Sequence, residues 1–439
     1  MIILHQKGFS SRLGFILAAI GSAVGLGNIW AFPYKLADGG LLFLIFYLLL
    51  ALIVGLPLLI AEINIGKLGG ECCYVAYKKI SPKLRIVGIL SVISPCIVMC
   101  YYAVIGGMCI RYLMVNVQYL YSGKTYIDGS LLFIKSTSEI FAAVIYTLLF
   151  MFITYFISSK GISSGIERFN KTVIPILLLL LFYLFFKTEP WKNLNDDVLL
   201  KVSFKNIKLM DVWHIISSSG EQMFFSLSVS VGTMVTYGAY MSKKQNTFVS
   251  ALSVVIVDSL VAVLAGLSII SAAALQNSNA GLNGGIGLLF VTMQNLIFGK
   301  FGPIFGIAFY LLVILAALSS AVAFIEVPVL SLSTYGIKNR KNTALFCCAL
   351  ISAFAVIISC DGFKNNIMDI WIFVAEGLII PIAALLSTLY IGWVYGIENL
   401  ISFKSNTTLK KAFVSHIFRF FAPIMIIIVI IGQIICFLK

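Results

Sequence analysis

The chain has 439 residues, 60% of them hydrophobic and 11% charged. A soluble domain carries roughly 25% charged residues, so the composition excludes a water-soluble globule and describes an all-α polytopic membrane protein, with residues 1–439 as one membrane domain. The net charge of +14 is scattered over short loops without an aromatic-interleaved basic face. That pattern fits the surface of a lipid bilayer and excludes nucleic acid as the partner.

Taken in order, the chain runs from Met1 to Lys7 straight into a long glycine-containing span. No small-residue cleavage site follows a short apolar core, so no removable signal peptide is expected. Apolar runs able to cross about 30 Å of hydrocarbon lie near 13–35, 40–66, 86–121, 139–158, 170–187, 212–241, 248–275, 301–335, 343–360, 368–395 and 412–438, giving eleven spans. Basic residues concentrate on the side of Lys7, Arg12, Lys78, Lys79, Lys160, Arg168, Lys243, Lys244, Arg340 and Lys341. The opposite loops hold Asp128, Glu189, Asp196, Asp197 and Asp361. The positive-inside rule then predicts a cell-membrane protein with a cytoplasmic N-terminus and, after an odd number of spans, an extracytoplasmic C-terminus.

The first span contains Gly21-Ser22-Ala23-Val24-Gly25-Leu26-Gly27-Asn28-Ile29-Trp30. Each glycine costs about 1 kcal/mol of helix propensity relative to alanine, and Asn28 at this depth needs a partner that lipid does not offer. The stretch reads as a break in a membrane helix that lines a polar site. The plainer alternative is close helix packing through Gly21-xxx-Gly25. A break exposes carbonyls at the end of one half-helix, which suit Na⁺, and N–H groups at the start of the next, which suit a carboxylate. The sixth span holds a second interruption, where Ser226, Ser228, Ser230 and Gly232 interleave with apolar residues. Interrupted spans at matching positions of two five-span blocks point to a transporter built from inverted repeats, here 13–187 and 212–395, with 412–438 as an additional span.

Nine cysteines and three histidines show no metal-ligand spacing, and no nucleophile–base pair is recognisable, so neither a metal centre nor an enzyme is expected. Asp258, within the seventh span, is a carboxylate at a depth where such groups are usually functional.

The run Ser11-Arg12-Leu13-Gly14-Phe15, the segment Gly21 to Trp30 and Phe32-Pro33-Tyr34 are similar to the opening of the neurotransmitter:sodium symporters. Pro57, Glu62, Tyr101-Tyr102, Gln222 to Ser228, Asp258, Ala265-Gly266 and Ala316-Ala317-Leu318-Ser319-Ser320 extend the resemblance over nearly the whole chain, most closely to the bacterial branch. The resemblance implies a five-plus-five inverted-repeat fold, with helices one and six broken, and symport of a small-molecule amino acid with one or two Na⁺ ions. It implies a first sodium site from the Ala23 carbonyl, Asn28, Ser226 and Asp258. A second would use the carbonyls of Gly21, Val24 and Ala316 with the hydroxyls of Ser319 and Ser320. The substrate would lie against Ser22, Ala23, Gly25, Gly27, Val98, Tyr102, Phe225, Ser226, Ser228, Val231, Ser320 and Phe324, with Phe225 as outer lid. This lining is apolar with a few hydroxyls, which favours a neutral, hydrophobic amino acid, since a charged side chain would be unpaired. Asp258 supplies the negative charge that chloride supplies in other members, so no chloride requirement is expected.

The chain also departs from that pattern. Ala31 stands where an arginine normally forms the outer gate, while its partner is retained as Asp369. Lys35, four residues on, is expected to take over that contact, so the gate would comprise Lys35, Asp369, Phe225 and Tyr102. At the inner gate the corresponding positions are Gln6 and Thr334, with Lys7 adjacent. Glu221, Glu326 and Glu376 serve either helix-to-helix hydrogen bonding or proton coupling. Arg111, about 13 Å beyond Tyr102 along its helix, either snorkels or pairs with an acid. The leading expectation is sodium-coupled amino acid import by alternating access. Its rivals are a transporter-like receptor or regulator and a proton-coupled carrier. The sequence does not specify the oligomeric state.

Overall fold

In the computed structural model the described residues are 8–122, 128–194, 209–274, 287–336, 339–361, 367–400 and 408–438. Gln6 and Lys7 lie outside them. Among the described residues there is no strand, and nine helical stretches are long and apolar enough to cross a bilayer.

The two interrupted spans account for the difference from eleven. Span one opens at Ser11, whose hydroxyl accepts from the Gly14 N–H at 3.0 Å and so caps the helix Arg12–Ala23. Twelve residues rise only about 18 Å, too short to cross alone. The helix stops because Val24 turns extended (φ −69°, ψ 105°). Helical structure resumes at Gly27, continues through Phe32–Leu50, and is kinked at Gly40, whose φ of 57° belongs to the left-handed region. The second half of span one and all of span two, Gly27–Gly69, therefore count as one stretch of the nine. Span six is likewise divided into Leu209–Ser226 and Thr233–Ala239.

Span three, Arg85–Ser122, and span eight, Pro303–Thr334, are the longest single helices and pack along each other. Span eight is the most enclosed of the nine. Spans four (Ile140–Ser158) and nine (Arg340–Asp361) pack on span three from outside. Span five (Arg168–Thr188) and span seven (Thr247–Ala274) flank the first half of span one. Phe141, Phe152, Leu179 and Phe186 are exposed on the outer helices, which is expected where the surrounding solvent is lipid rather than water.

A buried arginine, Arg111, and a half-buried one, Arg340, brace this scaffold. Arg111 on span three pairs with Glu139 and donates to Ser136 O at 3.0 Å, so of its two expected roles it takes the ion pair. Arg340 at the start of span nine grips Glu326 of span eight (Nη1–Oε1 3.1 Å, Nη2–Oε2 2.5 Å) and the Ser158 carbonyl of span four (2.9 and 3.0 Å). Tyr240, just after span six, donates to the same Glu326 at 2.8 Å.

Candidate functional site

Both breaks fall against spans three, seven and eight, and the polar residues they expose meet in two clusters. The first surrounds Asp258. Asn28 Nδ2 donates to Asp258 Oδ1 (2.8 Å), to the Asp258 carbonyl (3.2 Å) and to Ser226 Oγ (3.0 Å). Ser226 Oγ donates to Asp258 Oδ2 at 2.6 Å, and Tyr47 OH of span two reaches the same oxygen at 3.2 Å. Asn28 Oδ1 turns back to accept from the Gly25 N–H at 3.1 Å. Asp258 is fully buried, and its three side-chain donors are all neutral. A carboxylate at this depth without a cationic partner is costly. The carboxylate, hydroxyl and carbonyl oxygens here suit a hard monovalent cation, while Asn28 presents its NH₂ to them and its oxygen to Gly25.

The second cluster is made only of neutral oxygens. Ser319 Oγ donates to Ala316 O at 2.9 Å and lies 3.4 Å from Val24 O. Ser320 Oγ lies 3.2 Å from both Gly21 O and Val24 O. The carbonyls of Gly21 and Val24 are free for this because the helix ends there. Carbonyls of an unwound half-helix joined by two hydroxyls form a cation-binding donor set.

The residues expected to hold an amino acid gather beside these clusters. Tyr102 OH accepts from the Leu26 N–H at 3.2 Å, and its ring meets Phe324 edge-on at 5.6 Å. Ser228 Oγ donates to Ser22 O at 2.9 Å, which ties the two breaks together. At Gly25 a Cβ would lie 2.6 Å from Ser320 Oγ and 3.0 Å from Tyr102 OH. At Gly27 it would lie 2.5 Å from the Phe225 ring. These two glycines are required by close approach rather than by φ. Phe225 is half-buried above the break, while Val98, one turn before Tyr102, and Ala23 and Val231 in the breaks are buried. No hydrogen bond ties those last three to the clusters.

The structure adds residues that the sequence reading missed or placed differently. Tyr47, a lone hydroxyl inside the run Phe46-Tyr47-Leu48, is one: its polarity in an apolar span was the available signal. Gln222, quoted only as part of a motif, donates to Gly27 O at 3.0 Å. Glu62 braces the break of span six and not that of span one, accepting from Ser230 N (2.6 Å) and Oγ (3.2 Å).

The outer gate also needs correction. Lys35 pairs with Glu221 at 2.9 Å and not with Asp369, which is exposed. Lys35 is buried, and Glu221 on the adjoining half of span six is the nearer carboxylate. Glu376 bonds Tyr101 across spans ten and three. Thr334 turns inward to its own helix, donating to Leu330 O at 2.8 Å.

Comparison with known proteins gives one consistent result. The Sodium:neurotransmitter symporter family matches residues 6–125 and 129–439. An uncharacterised sodium-dependent transporter of Methanocaldococcus jannaschii is 33% identical over 420 residues, covering 91% of this chain and 84% of that one. Another from Bacillus subtilis is 30% identical over 448 residues, covering 97% of each. The crystal structure of MhsT in complex with L-phenylalanine superposes with a TM-score of 0.88 at 30% identity, covering 98% of this chain and all of that one.

Proposed function

Because the chain belongs to the Sodium:neurotransmitter symporter family, we propose that it couples the inward movement of a neutral, apolar amino acid to the sodium gradient by alternating access. The observation that carries the reading is Asp258, a fully buried carboxylate held by three neutral donors beside a broken helix. A sodium ion neutralises that charge. Asn28, Ser226 and the Ala23 carbonyl complete its shell, and a second ion occupies the five-oxygen cluster of Gly21, Val24, Ala316, Ser319 and Ser320. Residues 13–187 and 212–395 act as the two inverted repeats around this centre, with 412–438 as an eleventh span. The N-terminus faces the cytoplasm.

The arrangement suggests how ion and substrate depend on one another. The Gly25 and Leu26 N–H groups are spent on Asn28 Oδ1 and Tyr102 OH. A substrate carboxylate would take over these donors at the positive end of the half-helix. That releases Asn28 Oδ1, which then turns to the ion. Each ligand thereby improves the site for the other, which is a reciprocal coupling free energy.

The chamber between Tyr102, Phe324, Val98, Val231 and Phe225 offers apolar surface and hydroxyls but no charge, which favours a neutral side chain. MhsT, crystallised with L-phenylalanine, makes that amino acid the first to try. Because Asp258 supplies a fixed negative charge, we infer that chloride is dispensable. The receptor alternative rested on missing gates. Lys35–Glu221 at the outer mouth and Tyr240–Glu326 at the inner one favour a working cycle instead. Uptake of labelled phenylalanine and other neutral amino acids into proteoliposomes, with sodium replaced by choline outside, tests the proposal. Uptake that persists undiminished without sodium overturns it.

A further inference from the structure

Span five places Asn170 in its first turn, fully buried. Asn170 Nδ2 donates to the Ile166 carbonyl at 2.9 Å. That bond fixes the amide, since a carbonyl acceptor demands its NH₂ end. Oδ1 is therefore turned the other way, against the Cα of Gly21, where any Cβ would overlap it. The same Cβ would stand 3.1 Å from Ser319 Cβ, so the amide oxygen, Gly21 and Ser319 converge on one spot. Asn170 Oδ1 is buried and has no hydrogen-bond donor.

A buried acceptor without a donor is costly, and native proteins keep few of them without a reason. Packing alone does not require one here, because Gly21 has surrendered its side chain to make room for the oxygen. A second polar group stands on the same helix face. Glu167, three residues earlier, accepts from Ser10 N (2.7 Å), Ser10 Oγ (2.6 Å) and Ser11 Oγ (3.0 Å), and pairs with Lys171 at 2.6 Å. Span five thus presents oxygen to span one at two depths. Glu167 stands at the mouth where the described chain begins, and Asn170 stands beside the five-oxygen cluster.

We propose that Asn170 Oδ1 is a further ligand for the sodium ion of the Gly21/Val24/Ala316/Ser319/Ser320 cluster. This rests on the sodium-symport reading of the same site. One more oxygen in the shell of the bound ion raises sodium affinity. It does so without touching the amino acid.

The test is direct binding of ²²Na⁺ to the purified full chain in nanodiscs, without substrate, together with sodium-free and sodium-bound melting curves. Asn170→Ala is expected to weaken ²²Na⁺ binding about 10-fold, to leave the sodium-free melting temperature unchanged, and to shrink the shift that sodium produces. Asn170→Asp is expected to bind sodium more tightly than the parent, and this carries the test if the alanine variant fails to fold. In a Ser319→Ala background, Asn170→Ala should have little further effect, since both act on one ion. If the parent binds ²²Na⁺ and Asn170→Ala binds it equally well, the oxygen is satisfied in some other way and the proposal is wrong. If the parent itself binds no ²²Na⁺, the symport reading falls, and this inference with it.

Discussion

Lys35 and Glu221 form an ion pair at 2.9 Å between the second half of span one and the first half of span six. Lys35 is buried, while Glu221 keeps a quarter of its side chain exposed. The two half-helices meet again where Gln222 donates to Gly27 O, and Ser219 ties span six to Phe43 O in span two. Glu221 lies one turn from Phe225, so the pair braces the helical turn that carries Phe225. Lys35→Met and Glu221→Gln should each speed the escape of trapped substrate about 10-fold, and the exchanged pair Lys35→Glu/Glu221→Lys should recover most of the loss. Hydrogen–deuterium exchange should rise in both half-helices together. Asp369→Asn should change neither readout. An Asp369 effect equal to that of Lys35 would return the gate to the position first expected from the sequence.

Removing the charge at the ion cluster should separate sodium from chloride. Asp258→Asn keeps the volume but discards the charge, and its single amide oxygen can replace only one of the two acceptor atoms that Asn28, Ser226 and Tyr47 now share. Sodium affinity should fall at least about 10-fold, equivalent to about 1.4 kcal/mol. Uptake by the parent should be equal in chloride and gluconate media. A parent that needs chloride would show that Asp258 does not serve as the fixed anion.

Substituting Gly25 by alanine puts a methyl group 2.6 Å from Ser320 Oγ and 3.0 Å from Tyr102 OH. Amino acid binding should be lost by equilibrium dialysis. The melting temperature without ligand should drop only a few degrees, because the intrusion is into the chamber.

Tyr102→Phe removes the oxygen that meets the Leu26 N–H and keeps the ring against Phe324. Substrate affinity should fall about 10-fold, in keeping with loss of a hydrogen bond to a charged group of about 1.5–3 kcal/mol. Substrate-free sodium binding should be unaltered, which isothermal calorimetry can check for each ligand separately.

At the inner mouth, Arg340→Ala leaves Glu326 buried without its cation and should cost about 3–5 kcal/mol of stability. Adding Glu326→Gln should restore part of it, because the uncompensated charge is then gone. Unfolding followed in detergent gives the double-mutant cycle directly.

Much of this architecture can be read from residue order alone, because lipid forces unbroken apolar helices and makes every exception visible. Span limits near 86–121, 139–158 and 248–275 agree with Arg85–Ser122, Ile140–Ser158 and Thr247–Ala274 to within a residue. The glycines around Asn28 betray the first break, and the alternating serines betray the second. Partner choice is harder. Lys35 had two carboxylates to choose from, Glu221 and Asp369, and helical spacing says nothing about which neighbouring helix comes closer. Tyr47 and Asn170 are hard to assign for a related reason: Tyr47 is one polar atom in an apolar run and Asn170 one of several polar residues from Glu167 to Thr172, and the meaning of each depends on which element faces it.

The two breaks differ in what holds them open. In span one, Val24 turns extended (φ −69°, ψ 105°), a conformation open to any residue. In span six, Ser228 and Ser230 sit at φ of 51° and 64°, in the left-handed region that costs a side-chain-bearing residue roughly 1–2 kcal/mol. Ser228 is held there by the Ser22 carbonyl and Ser230 by Glu62 of span two. The first break thus rests on an unstrained backbone, whereas the second is kept in a strained one by bonds to spans one and two. Any motion that draws span two away from span six removes the Glu62 bonds that hold Ser230 there.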